Sequence, residues 1–306
     1  MKNILIITGP TGVGKTAVSV KAANILGCEI ISCDSMQIYK GMDIGTAKIK
    51  KDEMNNIPHH MIDFVDPKDE FSVADFKSTA DTIIEGIISR KKIPMLVGGT
   101  GLYINAFVFE RNHGEIPRDE AFRKKMNALD KDVLYDKLME KDPDAEKIYH
   151  KNETKRIIRA LEIIHHGGGL PSELRENLYR RSNEYNPLVI FISREREKLY
   201  EIIDNRVDKM IEQGLPKEAE SFYKRGYCEN MQSMKGIGYQ EFFRFFRGEI
   251  SFDEAVNLIK QHSRNYSKRQ FTWFKKIPNL ITLSADNLNV NELAKEAVRL
   301  WRSYEK

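Results

Sequence analysis

Apolar positions along the chain alternate between two periods. Ile4 to Thr8 is a short, nearly uninterrupted apolar run and reads as a buried strand, after which Val18, Ala22, Ile25 and Leu26 fall at helical spacing within Thr16 to Leu26. Glu29 to Cys33 is a second strand. Ser72 to Ile88 predicts a helix with Val73, Phe76, Ala80, Ile83, Ile84 and Ile87 on one side, and Pro94 to Val97 predicts a further buried strand. Continuous apolar strands separated by helices predict an α/β fold, a mostly parallel sheet covered on both faces. The pattern changes after Arg111. From 112 to 186 only helical spacing is found, broken by Gly167-Gly168-Gly169 ahead of Pro171. Leu188 to Ile192 returns as a strand, 194 to 246 reads as helical, and Leu280 to Leu283 is a last strand candidate. The expected organisation is therefore a core of residues 1–111 and 187–306 interrupted by an all-helical insertion, 112–186.

Composition narrows the class. The 306 residues are 41% hydrophobic and 31% charged, which excludes collagen-like and wholly disordered chains. This length buries a full core without staples. No apolar run reaches the ~18 residues of a spanning helix. The run Ile4 to Ile7 ends near Gly9-Pro10, too soon for a signal peptide. Cys28, Cys33 and Cys228 have neither metal-site nor disulfide-framework spacing. A cytoplasmic monomer with no membrane association and no obligate protein partner is expected.

The 49 basic and 45 acidic residues give a net charge of only +4, but their distribution is uneven. Between Ala255 and Ala285 there is no acid, while Lys260, Arg264, Lys268, Arg269, Lys275 and Lys276 are interleaved with Tyr266, Phe271, Trp273 and Phe274. Lys260, Arg264 and Lys268 are spaced to share one helix face. A one-signed, aromatic-rich segment fits a polyanion, and it equally fits a solvated helix face.

Gly9-Pro10-Thr11-Gly12-Val13-Gly14-Lys15-Thr16 follows the first strand and opens the first helix, and it fits G-x-x-x-x-G-K-[ST] in full. Glycines let the backbone turn its N–H groups towards an anion, and the helix N-terminus adds partial positive charge. Lys15 supplies a full charge, and the Thr16 hydroxyl is a ligand for Mg²⁺. The motif specifies a diphosphate. It does not separate ATP-binding kinases and NTPase switches from transferases.

The second strand ends in Asp34, and the carboxyl ends of parallel strands line the ligand crevice. A metal-binding acid and an ordinary cap are both open at this position. The following Ser35-Met36-Gln37-Ile38-Tyr39 suits an organic substrate, Gln37 having the donor–acceptor pair that reads an adenine edge. Gly98-Gly99-Thr100-Gly101 is a second glycine loop after a strand. It admits close backbone approach, with the Thr100 hydroxyl placed for a phosphate or bridging oxygen, although a plain strand-to-helix turn has the same composition. His59-His60 has no third residue at ligand spacing and reads as structural or substrate-facing.

Taken in order, these segments resemble the tRNA dimethylallyltransferase (tRNA isopentenyltransferase) family of the shorter, bacterial type. The phosphate loop, Ile31-Ser32-Cys33-Asp34-Ser35-Met36-Gln37-Ile38-Tyr39, Asp43-Ile44-Gly45-Thr46-Ala47-Lys48 and Pro58-His59-His60-Met61-Ile62-Asp63 match in the first part of the chain. Val97-Gly98-Gly99-Thr100-Gly101-Leu102-Tyr103 and Lys155-Arg156-Ile157-Ile158-Arg159-Ala160-Leu161-Glu162 follow. Gly236-Ile237-Gly238-Tyr239 and Lys268-Arg269-Gln270-Phe271-Thr272-Trp273-Phe274 match near the end.

The resemblance implies a P-loop NTPase-like sheet with an inserted helical domain. It implies transfer of the dimethylallyl group from dimethylallyl diphosphate to N6 of the adenosine 3′ of the anticodon, the loop Gly9 to Thr16 holding the donor. It further implies Asp34 as the base, Thr100 and Mg²⁺ on Thr16 at the leaving diphosphate, and Arg123 at a position that influences substrate handling. The anticodon stem-loop would be gripped by Asp34, Ser35, Met36 and Gln37, by Lys155, Arg156, Ile157, Ile158 and Arg159, by Met234, Lys235, Gly236, Ile237, Gly238 and Tyr239, and by Lys268 and Arg269. One departure stands out. The family commonly has Arg three residues after Leu199, where this chain has Ile202, which points to Arg206 or a neighbour as a replacement cation.

Overall fold

A computed structural model of the chain describes residues 1–110, 116, 118–177 and 180–305, apart from the side chains of 175–177. The first of the expected domain boundaries, 111/112, lies outside these residues. The chain divides into two compact units, Met1–Phe107 with Glu184–Lys306, and Val108–Asn183.

The larger unit opens with β1 (Lys2–Thr8), α1 (Lys15–Leu26), β2 (Cys28–Ser32), β3 (His59–His60), α2 (Val73–Ser89), β4 (Ile93–Gly98) and α3 (Gly101–Val108). The insertion holds α4 (Glu120–Asn127), α5 (Lys131–Lys141), α6 (Thr154–His165) and α7 (Pro171–Asn177). The larger unit resumes with β5 (Tyr185–Ser193), α8 (Arg196–Glu212), α9 (Leu215–Lys224), α10 (Tyr239–Phe246), α11 (Phe252–Phe274), β6 (Ile281–Ser284) and α12 (Val290–Tyr304).

All strands are parallel in one six-stranded sheet ordered β3-β2-β4-β1-β5-β6. Ile4, Leu5, Ile6 and Ile7 of the central β1 are all fully buried, as a strand covered on both faces requires. Parallel register places Thr8 beside Gly98, Ser32 beside Val97 and Thr8 beside Phe191. The loops that follow β1, β2 and β4 therefore leave from one edge of the sheet, where ligands of open α/β sheets bind.

Two strands differ from expectation. β3 is a two-residue edge strand paired with Ile30 and Ile31, and a pair of half-exposed histidines carries no apolar signal. β5 begins at Tyr185, ahead of Leu188, because polar Asn186 and Pro187 pair with Asn3 and Ile4 of β1.

The insertion has its own core, formed by Met126, Leu134, Leu138, Ala145, Ile157, Ile158, Ala160 and Leu161. Beside it the fully buried Glu162 carboxylate accepts two hydrogen bonds from Arg123 at 2.8 Å, one from Arg159 at 2.5 Å and one from the Asp119 N–H at 2.8 Å. Burial pushes the Glu162 carboxyl up, and these donors outweigh it and hold the group at about 2. Its folded value lies below the usual carboxylate value, so its contribution to stability is present above about 4.5 and is lost as pH falls towards 2. Glu162→Ala is expected to destabilise the protein by about 3 kcal/mol at neutral pH, because it strands two cations. The lower end of the range applies because the guanidiniums of Arg123 and Arg159 are 25% and 31% exposed. Chemical denaturation followed by circular dichroism checks this, and a change below ~1 kcal/mol would remove the cluster from the account of the insertion.

Candidate active site

Gly14 caps α1 with φ of 97°, a left-handed conformation that glycine adopts without strain. The N–H groups of the first turn of α1 have no intrahelical acceptor, and no acidic residue stands there to compete for them. This end of α1 is consequently an anion site. Lys15 Nζ donates to the carbonyls of Gly9 and Pro10, both at 2.9 Å, so the ammonium folds over the loop. Burial lowers the Lys15 pKa to about 8, with Asp34 opposing the shift and Arg206 adding to it.

Two adjoining cavities occupy this edge of the sheet. The first, of about 240 Å³, is walled by Lys15, Thr16, Gln37, Ile49, Ile62 and Ile202. The second, of about 280 Å³, is walled by Met36, Lys235, Ile237, Tyr239, Tyr266 and Arg269. Thr11, Asp34, Thr46 and Arg206 belong to both walls. Arg206 donates to the Thr11 hydroxyl at 3.2 Å and sits one turn beyond Ile202 on α8, facing the same first cavity. Burial lowers its pKa and Asp34 raises it.

The backbone fixes the Asp34 carboxylate. Its Oδ1 accepts the N–H groups of Met36 at 2.9 Å and Gln37 at 3.3 Å, while Oδ2 receives no hydrogen bond among the described residues. Thr100 does not line either cavity. Its hydroxyl accepts the Ser35 N–H at 3.0 Å, which fastens the turn that carries Asp34 to the Gly98–Gly101 loop. Gln37 lies in the wall of the first cavity, and its amide donates to the carbonyls of Thr46 at 3.1 Å and Ala47 at 3.3 Å. That side chain is spent on holding the 46–47 loop, which leaves its donors unavailable to an adenine edge.

For Mg²⁺ the structure offers the Thr16 hydroxyl in the first cavity, a hard oxygen donor beside the anion site. One protein oxygen is enough for an ion that keeps several waters and binds phosphate oxygens. Among the described residues a separate grouping of possible ligands, Asp119, His165 and His166, lies in the insertion, with ligand atoms within 4.8 Å of one another. His60 Nε2 donates to the Glu29 carboxylate and His59 Nδ1 donates to the Ile57 carbonyl, which is the structural reading of that pair.

Several expected contacts are placed elsewhere. Ile157 and Ile158 are buried in the insertion core, and Met234 is fully buried in the core around α9 and α10, so none of these three side chains is available to a ligand. Arg123 and Arg159 are engaged by Glu162, and Arg156 pairs with Glu153, which leaves Lys155 exposed on α6. The acid-free segment is corrected too. Lys260 pairs with Asp208 at 2.6 Å and Arg264 with Asp204 at 2.6 and 2.7 Å, because α8 packs its acids against α11. Lys268 and Arg269 have no carboxylate partner among the described residues and are exposed. Arg269 instead lies 5.6 Å from the Tyr266 ring centre.

Sequence reading did not single out Glu218. Its carboxylate accepts the N–H groups of Asp43, Ile44 and Gly45 and the Tyr239 hydroxyl, at 2.6 to 3.0 Å, and so ties the 43–45 loop to the second cavity. Nothing in local spacing marks a residue whose backbone partners are 173 to 175 positions away.

Known proteins match this chain over most of its length. The IPP transferase family model matches residues 37–277, and the isopentenyl transferase model matches 2–66. The chain belongs to the IPP transferase family. A family member from Halalkalibacterium halodurans, a tRNA dimethylallyltransferase, is 44% identical over 91% of this chain and 90% of its own. The crystal structure of a tRNA isopentenylpyrophosphate transferase from Bacillus halodurans superposes with a TM-score of 0.75 at 41% identity, covering 99% of this chain and 96% of that one. A eukaryotic dimethylallyltransferase solved in action on tRNA superposes with a TM-score of 0.88 at 29% identity, over 99% of this chain and 79% of that one. As a member of this family the chain is a prenyltransferase, and the expected parallel sheet flanked by helices is the fold that it has. No described helix is long and apolar enough to cross a membrane.

Proposed function

We propose that this enzyme transfers the dimethylallyl group of dimethylallyl diphosphate to N6 of the adenosine 3′ of the anticodon in tRNA and releases diphosphate. The observation that carries the reading is the place of Asp34, in the wall common to a cavity built on an anion loop and a cavity lined by aromatic and basic side chains. The donor's diphosphate lies on the loop Gly9–Thr16 with Lys15, and its five-carbon tail lies against Ile49, Ile62 and Ile202. Mg²⁺, when bound at Thr16, neutralises diphosphate charge.

The acceptor adenine leaves its stack and enters the second cavity beside Tyr266. The bond between the allylic carbon and the diphosphate oxygen breaks with its electron pair on diphosphate. N6 bonds to that carbon, and the N6 proton passes to Asp34 Oδ2. Lys15 and Arg206 hold the leaving charge. Thr100 acts by holding the Asp34 turn, and Arg123 by holding the insertion, whose Lys155 faces the RNA. The protein works in the cytoplasm, as a monomer.

Radiolabelled dimethylallyl diphosphate offered with tRNA, AMP or ATP tests the reading. Label is expected in tRNA alone, and label in AMP or ATP would overturn it. Within that reading, Lys268 and Arg269 are the phosphate-tracking cations of α11. Lys268→Glu with Arg269→Glu should weaken binding of the anticodon stem-loop and reduce its log–log salt slope by roughly one per lost phosphate contact. Filter binding over a salt series measures this, and an unchanged slope would return the segment to a solvated helix face.

A further inference from the structure

Gln270 of α11 reaches the anion loop. It is only 4% exposed. Its Oε1 accepts the Thr11 N–H at 2.8 Å, and its Nε2 donates to the Gly99 carbonyl at 2.9 Å. Both halves of the amide are thus used, each on a different loop at the carboxyl edge of the sheet. The fit is close, since a Cβ at Gly99 would stand 2.2 Å from Gln270 Nε2. Gly99 is therefore the residue that lets the amide lie on the loop.

Thr11, whose N–H is fixed in this way, lies in both cavity walls and receives Arg206 on its hydroxyl. On the same helix, Arg269 precedes Gln270 and Tyr266 lies one turn back, and both line the second cavity. The Tyr266 hydroxyl lies near the side chains of Thr100 and Gln270. One buried amide thus joins the anion loop, the glycine loop that fastens the Asp34 turn, and the helix that presents Tyr266, Lys268 and Arg269.

We propose that Gln270 is a positioning residue that couples the two substrates: by holding the Thr11 N–H and the Gly99 carbonyl to α11, it makes occupation of the anion loop and docking of RNA on α11 favour each other. This rests on the prenyl-transfer reading of the site. The amide is suited to the task because it donates and accepts at once. Any displacement of α11 by bound RNA moves both loops together. Coupling of this kind is reciprocal, so RNA tightens diphosphate binding by the same factor as diphosphate tightens RNA binding.

The test uses the full-length protein with inorganic diphosphate and an unmodified anticodon stem-loop, each titrated alone and in the presence of the other. Wild-type protein is expected to bind diphosphate at least about fivefold more tightly when the stem-loop is bound. In Gln270→Ala this ratio should fall to about one, while the stem-loop alone binds within about threefold of wild type because Lys268 and Arg269 remain. A ratio of one in the wild type, or an undiminished ratio in Gln270→Ala, would overturn the proposal.

Gln270→Glu supplies a readout that a merely structural role would not move. Its carboxylate still accepts from Thr11 but cannot donate to Gly99, and protonation restores the donor. Burial raises the pKa of such a carboxyl. The single-turnover rate of Gln270→Glu relative to wild type should therefore rise as pH is lowered from about 8 to about 6, and a flat ratio would count against the proposal. Wild-type protein that fails to prenylate tRNA would sink the functional reading itself. Normal tRNA prenylation with wild-type coupling in both variants would sink only the role of Gln270.

Discussion

Asp34→Asn is expected to lower the single-turnover rate of prenyl transfer to tRNA by ~10²–10⁴, the usual contribution of a general base, with little change in diphosphate affinity. Asparagine is the informative replacement because it separates two roles of the side chain. The amide oxygen can still accept the N–H groups of Met36 and Gln37, so the turn after β2 is kept. What is lost is a basic oxygen at the position of Oδ2, and with it the acceptor for the N6 proton. An exocyclic adenine amine is a weak nucleophile, so the rate depends on removing that proton as the C–N bond forms. Asp34→Ala removes both functions and should be at least as slow. Diphosphate affinity holds or improves slightly in either variant, since a carboxylate near Lys15 and Arg206 is removed from the neighbourhood of an anion. Quenched-flow measurement with enzyme in excess decides the matter. A wild-type rate in Asp34→Asn would assign the proton to another acceptor, and a rate lost only in Asp34→Ala would make Asp34 a turn residue.

The parts of this site that could be read from sequence are those whose chemistry is local. The phosphate loop is contiguous, its glycines and Lys15 lie within eight positions, and the apolar strand before it is uninterrupted. Asp34 was legible because it ends a strand, and parallel strand ends converge. Contacts between distant segments were not legible. The acid-free stretch from Ala255 to Ala285 was an accurate count and a poor guide to charge, because Asp204 and Asp208 reach Arg264 and Lys260 from α8. Gln37 looked like a base reader by residue type, yet loop packing spends its amide on Thr46 and Ala47. Ile157 and Ile158 sit inside a motif rich in charged residues and Met234 inside a glycine-rich one, yet all three side chains face a core. The departure at Ile202 acquires a meaning only in three dimensions, where Arg206 one turn later supplies a cation to the same cavity and Ile202 adds apolar surface for a five-carbon tail.

Lys15 gives the second large effect, and pH separates its charge from its bulk. Lys15→Ala should weaken binding of dimethylallyl diphosphate by about 10- to 100-fold, the range for a charge-assisted hydrogen bond to a partly desolvated anion. The wild-type pKa of about 8 makes a further demand. Below that value the ammonium is charged and holds the diphosphate; above it the amine is neutral and the attraction is lost, so affinity should fall as pH rises from about 7 to about 9. Bound diphosphate raises the Lys15 pKa, and in this interval binding must therefore take up a proton. Calorimetry in buffers of different ionisation enthalpy measures that uptake directly. Ionisation of the diphosphate itself is common to all variants, so the difference between the wild-type and Lys15→Ala curves isolates the ammonium. Lys15→Arg keeps a charge throughout this range and should bind with a flatter pH dependence than wild type, though less tightly, because a planar guanidinium cannot fold over the Gly9 and Pro10 carbonyls as the ammonium does. Parallel curves for wild type and Lys15→Ala would place the diphosphate away from Lys15 and remove the anion loop from the donor site.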